Sequence, residues 1–96
     1  MDLITTHTNA DFDTLSSMVA AKMLYPDAVL SFPGSLEKEL KSALEGMNLG
    51  FSFIPAEDID IDSIKRLILV DIKSPSRIGR FSLAAKKKGV EVHVYD

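Results

Sequence analysis

Three side chains with the chemistry of metal ligands follow a short apolar run near the start of the chain. The stretch "LITTHTNADFDTLSS" holds His7, Asp11 and Asp13 in the spacing H-x-x-x-D-x-D. Carboxylates together with an imidazole suit Mn²⁺ or Mg²⁺, and Mn²⁺ accepts the nitrogen more readily. An ordinary interpretation is also open, because Asp11 or Asp13 would serve as the N-cap of the following helix and His7 could be a structural histidine. The metal-site interpretation gains support if acidic residues elsewhere in the chain lie close to these three side chains.

Two further acids end apolar segments in the second half of the chain. Asp71 follows "RLILV", a nearly continuous apolar run of the kind found in strands buried on both faces. Asp96 ends "VEVHVYD", which is predicted to be the last strand. Ligands of open α/β sheets bind outside the carboxyl ends of the strands, near the point where the strand order reverses. If the first strand and the one that leads to Asp71 are neighbours there, four side chains converge: His7, Asp11, Asp13 and Asp71.

Strand and helix patterns alternate along the whole chain. Strands are predicted at 2–6, 28–32, 51–55, 66–72 and 90–96, and helices at 14–25, 35–47 and 74–89. The acidic segment 56–65 is predicted to be a connection with one helical turn. Such alternation indicates right-handed βαβ units. We therefore expect an α/β fold, a three-layer Rossmann-like sandwich whose mostly parallel five-stranded sheet has the order 3-2-1-4-5.

Composition limits the classes of function. With 96 residues, of which 46% are hydrophobic, the chain forms one globular domain at most. A net charge of −3 and a pI of about 5.3 argue against non-specific nucleic-acid binding through a broad basic surface. Cysteine is absent, which excludes disulfides and thiolate metal sites. No signal peptide or membrane-spanning run is visible in the sequence, so a cytoplasmic protein is the default expectation.

A cluster of these acids would favour one class of reaction. Packed carboxylates repel one another and raise one another's pKa unless a cation is present. Two ions about 3.5–4 Å apart could share Asp71 as a bridging ligand, activate a water and neutralise a phosphoryl group. Arg77 and Arg80 follow Asp71 and could reach a phosphate, or they could face solvent as ordinary helix residues.

With these residues in place, the sequence resembles the DHH phosphoesterase family over its whole length. "HTNADFDTLSS" matches the first motif of that family, a His followed by Asp-x-Asp at the start of a helix. "LILVDIKSPSRIG" matches the second, an Asp that ends a hydrophobic strand, and "VEVHVYD" looks like the strand that leads into the Asp-His-His motif. "SSMVAAKMLYPDAVLSFPGSLEK" is similar to the branch in which this module precedes paired CBS domains and a poly(A)-polymerase or CCA-adding type nucleotidyltransferase.

The resemblance implies a role for each candidate residue. His7 and Asp11 would bind one metal ion, Asp13 the other, and Asp71 would bridge them, so that Asp11, Asp13 and Asp71 form the catalytic set. Asp96 would open the Asp-His-His motif and be a further ligand. The expected cofactor is Mn²⁺ or Mg²⁺, as two ions in a complete domain. Because the sequence stops at Asp96, we expect 1–96 to be a partial DHH-type N-terminal domain with an incomplete site and little activity alone.

The resemblance also implies a substrate class and partners. The parent protein would hydrolyse a phosphate ester or phosphoanhydride, such as a short oligonucleotide, a nucleotide phosphate or a polyphosphate. Other domains of the parent would bind tRNA, no membrane partner is expected, and apolar surface left on a truncated sheet would favour homo-oligomers. Two alternatives stay open: a non-catalytic module that positions the nucleotidyltransferase on tRNA, and a receiver-type signalling domain phosphorylated at Asp71.

Overall fold

A parallel sheet forms the centre of the computed structural model, which describes residues 1–8, 10–34, 38–46, 52–72 and 77–95. Its strands are β1, Asp2–Thr5; β2, Val29–Leu30; β3, Arg66–Val70; and β4, Glu91–Tyr95. The strands pair in the order β2-β1-β3-β4, and every pair is parallel. The α/β class is therefore confirmed, and these four strands follow the order that was predicted for them.

The described residues of the predicted strand 51–55 form a single bridge rather than a fifth strand. The bridge joins Phe53 to Leu30 in parallel orientation, and the Ile54 N–H donates to the Leu30 carbonyl at 2.9 Å. Pro55 follows as the N-cap of a 3₁₀ turn at Ala56–Asp58, which ends the extended segment. The sheet of the described residues therefore has four strands, one fewer than predicted.

Two helices lie close to their predicted positions. Helix α1 spans Phe12–Leu24 and begins two residues before the predicted range 14–25, because Asp11 is its N-cap. Helix α2 spans Lys38–Gly46. The predicted range 35–47 begins and ends outside the described residues.

The third predicted helix, 74–89, is wrong over most of its described part. A 3₁₀ turn at Gly79–Phe81 leads into a helix of one turn, α3, at Ser82–Ala85. Gly79 has φ of +59°, a left-handed conformation that an α-helix cannot include, so no helix passes through this residue. In the acidic connection, two 3₁₀ turns replace the one predicted helical turn, at Ala56–Asp58 and Ile61–Ser63.

The strands β1 and β3 are buried on both faces. On one face, Ile4 and Ile68 pack in a cluster with Met18 of α1. On the other face, Leu67 packs in a second cluster with Phe81. Burial on both sides explains why the sequence of β3 is apolar at nearly every position. The parallel pairing of β1 with β3 places their carboxyl ends side by side.

The strand β4 is the edge of the sheet and remains largely exposed. Val92 and Val94 on this strand are 38% and 53% exposed. No helix within the described residues is long and apolar enough to cross a membrane.

Candidate functional site

One hydroxyl group lies at the meeting point of three predicted ligands. The Oγ1 atom of Thr14 is 2.9 Å from Oδ1 of Asp11, 3.1 Å from Oδ2 of Asp71 and 3.4 Å from Nε2 of His7. Thr14 itself is fully buried. The residues come from the loop after β1, the first turn of α1 and the end of β3, at the carboxyl edge of the sheet. The structure therefore brings together three of the five predicted site residues.

Asp11 reaches this position because it caps α1. Its Oδ1 atom accepts hydrogen bonds from the backbone N–H of Thr14 at 3.0 Å and from the Thr14 hydroxyl. These two bonds, the backbone one first, lower the pKa of Asp11 below its usual value of 3.8, with a smaller contribution from the nearby His7 and against a small opposing effect of burial. Both bonds use the same oxygen. Capping the helix and binding a ligand through Oδ2 are therefore compatible roles.

The ring of His7 is oriented by the backbone. Its Nδ1 atom lies 2.6 Å from the carbonyl oxygen of Thr8. A carbonyl oxygen can only accept, so Nδ1 carries the proton and Nε2 of the neutral ring carries a lone pair. This Nε2 atom lies 4.0 Å from Oδ2 of Asp71. The imidazole thus presents a ligand atom, rather than an N–H, to the carboxylates.

Asp71 has an unusual backbone conformation. Its φ is +55°, the one positive value among the described residues other than glycine. Its N–H donates to the Tyr95 carbonyl at 2.9 Å, which is a hydrogen bond of the last pair of β3 and β4, Val70 with Tyr95. Asp tolerates this left-handed region better than most residues, yet it is strained there, and such strain collects at functional sites. The bend directs the Asp71 carboxylate toward α1.

Hydrogen-bond counting describes how the polar atoms of this cluster are satisfied. The Thr14 hydroxyl has one proton, while Asp11, Asp71 and His7 offer it three acceptor atoms. Asp11 and Asp71 are exposed, so water can satisfy the acceptor atoms that Thr14 does not reach. Carboxylate oxygens and an imidazole nitrogen are also the ligand types that Mn²⁺ and Mg²⁺ accept.

The other two predicted ligands are not part of this cluster. Asp13 lies in the first turn of α1 with its side chain exposed. Asp96 falls outside the described residues. Within the part of the chain that the structure describes, no group of three or more His, Cys, Asp or Glu side chains is arranged to hold a metal ion directly. The Thr14 hydroxyl occupies the space between the side chains instead.

Thr14 is the site residue that the sequence analysis missed. In sequence it is an ordinary polar residue at the first position of the predicted helix 14–25. The available signal was its position three residues after a candidate N-cap, where the backbone N–H of a helix meets the capping side chain.

A pocket of about 230 Å³ lies beside Asp71. Its walls are Asp71, Val70 and Tyr95 at the ends of two strands, and small residues of α1 such as Ala20 and Ala21. One wall of this pocket is therefore a member of the carboxylate cluster, and the rest is mostly apolar.

Arg77 and Arg80 are exposed, and both form hydrogen bonds with residues of neighbouring loops. The Arg77 carbonyl accepts a hydrogen bond from the Thr8 N–H at 3.0 Å. The guanidinium of Arg80 donates to the carbonyl of Ala56. The Arg80 guanidinium therefore binds a neighbouring loop rather than the cluster. The Arg77 contact involves its backbone alone, so phosphate contact by the Arg77 side chain stays a prediction.

Comparison with known proteins relates the chain to one segment of a much longer protein. No family model matches the chain, and no solved structure matches it. The chain is 52% identical over 97 aligned positions to an A-adding tRNA nucleotidyltransferase of Geobacter sulfurreducens. The match takes in 100% of this chain but 11% of the relative. The similarity therefore includes the whole candidate site.

Proposed function

We propose that this chain is part of a DHH-type phosphoesterase-like module that depends on Mn²⁺ or Mg²⁺ and belongs to a longer protein related to tRNA nucleotidyltransferases. The observation that carries the proposal is the convergence of His7, Asp11 and Asp71 on the single hydroxyl of Thr14. This convergence lies at the carboxyl edge of a parallel sheet, where α/β folds bind ligands. The similarity to an A-adding enzyme supports the kind of parent.

Each residue has a role in this proposal. Nε2 of His7 and Oδ2 of Asp11 would hold one cation, Asp13 would hold the other, and Asp71 would contribute to both. Asp96 would be a further ligand of a site that this chain holds only in part. A bound cation would neutralise a phosphoryl group and lower the pKa of a water molecule. The side chains of Asp11, Asp13 and Asp71 would hold the cations beside the phosphoryl group, so that the group is positioned for in-line attack.

The charge of the chain favours a substrate whose phosphate is neutralised by the cation. A net charge of −3 repels a phosphate unless positive charge is supplied locally. The proposed substrates are short oligonucleotides, nucleotide phosphates or polyphosphates, and the pocket beside Asp71 offers room for a group attached to the phosphate. We propose a five-stranded Rossmann-like sandwich for the complete domain, a cytoplasmic location, and tRNA binding through other segments of the parent.

Hydrolysis by the full-length parent tests the proposal. The protein is incubated with short oligonucleotides, nucleotide phosphates and polyphosphate, with Mn²⁺, with Mg²⁺ and with a chelator. We expect metal-dependent phosphate release that the substitution Asp71→Asn abolishes. Asp27→Asn is the matched control, because Asp27 is an exposed aspartate beyond the opposite end of α1. Release that is independent of metal, or unaffected by Asp71→Asn, contradicts the proposal.

The similarity to an A-adding tRNA nucleotidyltransferase supports a second function, because adding A to tRNA is a transfer reaction and not a hydrolysis. In that case the module is a non-catalytic part that positions a nucleotidyltransferase on tRNA. Nucleotide addition by the parent then continues in the Asp11→Asn variant, while deletion of the module weakens tRNA binding. Asp11→Asn is suited to this test because Asn caps helices as well as Asp does.

A further inference from the structure

The backbone of Thr8 connects the ring of His7 to a distant loop. The Thr8 carbonyl oxygen accepts from Nδ1 of His7 at 2.6 Å. The Thr8 N–H donates to the Arg77 carbonyl at 3.0 Å. The orientation of the imidazole thus depends on where the loop after β3 holds the Arg77 carbonyl.

The described part of that loop, from Arg77 onward, lies against Pro33 at Gly79. The residue has φ of +59°, and a Cβ built on it would lie 2.7 Å from the backbone oxygen of Pro33 and 3.3 Å from the Pro33 Cβ. Real Cβ atoms essentially never approach a backbone atom so closely. A Cβ on Gly34 would in turn meet the Thr8 side chain at 3.4 Å. The loops that follow β1, β2 and β3 therefore touch at one junction, and glycine is what allows the contact.

We propose that Gly79 is a positioning residue for the candidate centre, acting through the Arg77 carbonyl and the Thr8 backbone on the His7 ring. Absence of a side chain at Gly79 keeps the Arg77 carbonyl in reach of the Thr8 N–H. The Thr8 carbonyl then keeps the proton of His7 on Nδ1 and leaves Nε2 free to bind a cation. The proposal rests on the proposed function only where it assigns Nε2 to the cation.

A side chain at Gly79 fits only if neighbouring backbone moves. The described segment 77–81 is held in place, because Ile78 and Phe81 on either side of Gly79 are fully buried in the core. We expect the Arg77 carbonyl to move instead, which removes the acceptor of the Thr8 N–H. When Thr8 then shifts, Nδ1 of His7 loses the Thr8 carbonyl as its acceptor, and the preference for the Nδ1–H form disappears. Loss of a partner that orients a ligating histidine typically weakens metal affinity about 10–100-fold.

Comparison of two glycine variants tests the proposal. Gly79→Ala introduces both backbone strain and the clash with Pro33. Gly89→Ala introduces the strain alone, since Gly89 has φ of +92° and nothing lies within 4 Å of a Cβ there. The tautomer of His7 is read from long-range ¹H–¹⁵N correlation spectra of the metal-free 96-residue chain at a pH where both imidazoles are neutral, with His93→Gln to assign the signals. Mn²⁺ affinity is measured by calorimetry on the same samples.

We expect the Nδ1–H form of His7 in the unsubstituted chain and in Gly89→Ala, and its loss in Gly79→Ala together with at least tenfold weaker Mn²⁺ binding. Retention of the Nδ1–H form in Gly79→Ala, or its absence from the unsubstituted chain, overturns the proposal. If the unsubstituted chain binds no Mn²⁺, the proposed function fails while the tautomer still decides the role of Gly79. If Gly79→Ala does not fold, Gly79→Asn adds the same Cβ with less backbone strain, because Asn tolerates positive φ.

Discussion

The Thr14 hydroxyl lies 3.1 Å from Oδ2 of Asp71, although 57 positions separate the two residues in sequence. Thr14 belongs to the first turn of α1, and Asp71 ends β3. The contact joins two elements that meet only in the folded chain, and it places a fully buried hydroxyl between acidic groups. Thr14 is therefore both a packing residue and the polar centre of the candidate site.

Removal of the Thr14 hydroxyl should destabilise the metal-free chain. Thr14→Val keeps the branched shape but leaves Asp11 and Asp71 without their shared donor, which we expect to lower the free energy of unfolding by about 1–3 kcal/mol. Thr14→Ser keeps a hydroxyl and should cost less. Urea unfolding of the variants measures both effects. Equal stability of Thr14→Val and the unsubstituted chain would show that the shared hydrogen bonds contribute nothing.

The lowered pKa of Asp11 predicts how stability changes with pH. The Thr14 backbone and hydroxyl stabilise the ionised carboxylate in the folded chain, so its pKa is lower folded than unfolded. This contribution is complete above the unfolded pKa of 3.8, and it is lost as pH falls through the lower folded value. Melting temperatures from pH 6 to pH 2 should fall less steeply for Asp11→Asn than for the unsubstituted chain. Parallel curves would contradict this role of Asp11.

Substitution of Asp13 tests whether this residue binds a metal ion or has only a structural role in the first turn of α1. Its side chain is exposed in the first turn of α1, where it interacts only with the helix dipole among the described contacts, an effect of about 0.3–1 kcal/mol. Asp13→Asn should therefore change stability little. If Asp13 binds the second cation, the same substitution should reduce the number of Mn²⁺ ions bound by the full-length parent, as counted by calorimetry. An unchanged ion count would remove Asp13 from the site.

Sequence reasoning located the acids but not what lies between them. The strand that ends at Asp71 was recognisable because a strand buried on both faces must be apolar at almost every position. The cap at Asp11 was recognisable because Asp before an apolar helical pattern is a common start signal. The position of Thr14 three residues after Asp11 was a signal for the capping contact. Its contact with Asp71 had no signal in the sequence, because that contact depends on the pairing of β1 with β3.

The third helix shows a different limit. A serine that could cap a helix and Gly89 that could end it suggested one continuous helix over 74–89, yet a positive φ at Gly79 interrupts it. At Gly79 the backbone of Pro33, on a neighbouring loop, lies where a Cβ would be, so a residue with a side chain does not fit without a shift. The local sequence pattern around Gly79 cannot indicate a neighbour that is distant in sequence, such as Pro33. In the same way, the single bridge at Phe53 depends on where Leu30 ends its own strand.

Substitutions at Asp71 should separate backbone strain from charge. Asp71→Asn keeps an oxygen that accepts from Thr14 and a side chain that tolerates φ of +55°, so we expect a nearly unchanged melting temperature. Asp71→Ala loses both features and should be less stable than Asp71→Asn by about 1–2 kcal/mol. Thermal unfolding compares the two. Equal stability of the variants would mean that neither the left-handed backbone nor the Thr14 contact matters to folding.

Mn²⁺ binding to the 96-residue chain, followed by calorimetry at neutral pH, tests most directly whether the cluster around Thr14 is a cation site. Titrations compare the unsubstituted chain with Asp71→Asn and with the control Asp27→Asn, an exposed aspartate outside the cluster. We predict saturable binding that Asp71→Asn weakens at least tenfold and Asp27→Asn leaves unchanged. No saturable binding, or equal loss in both variants, would contradict the assignment of His7, Asp11 and Asp71 to a metal centre.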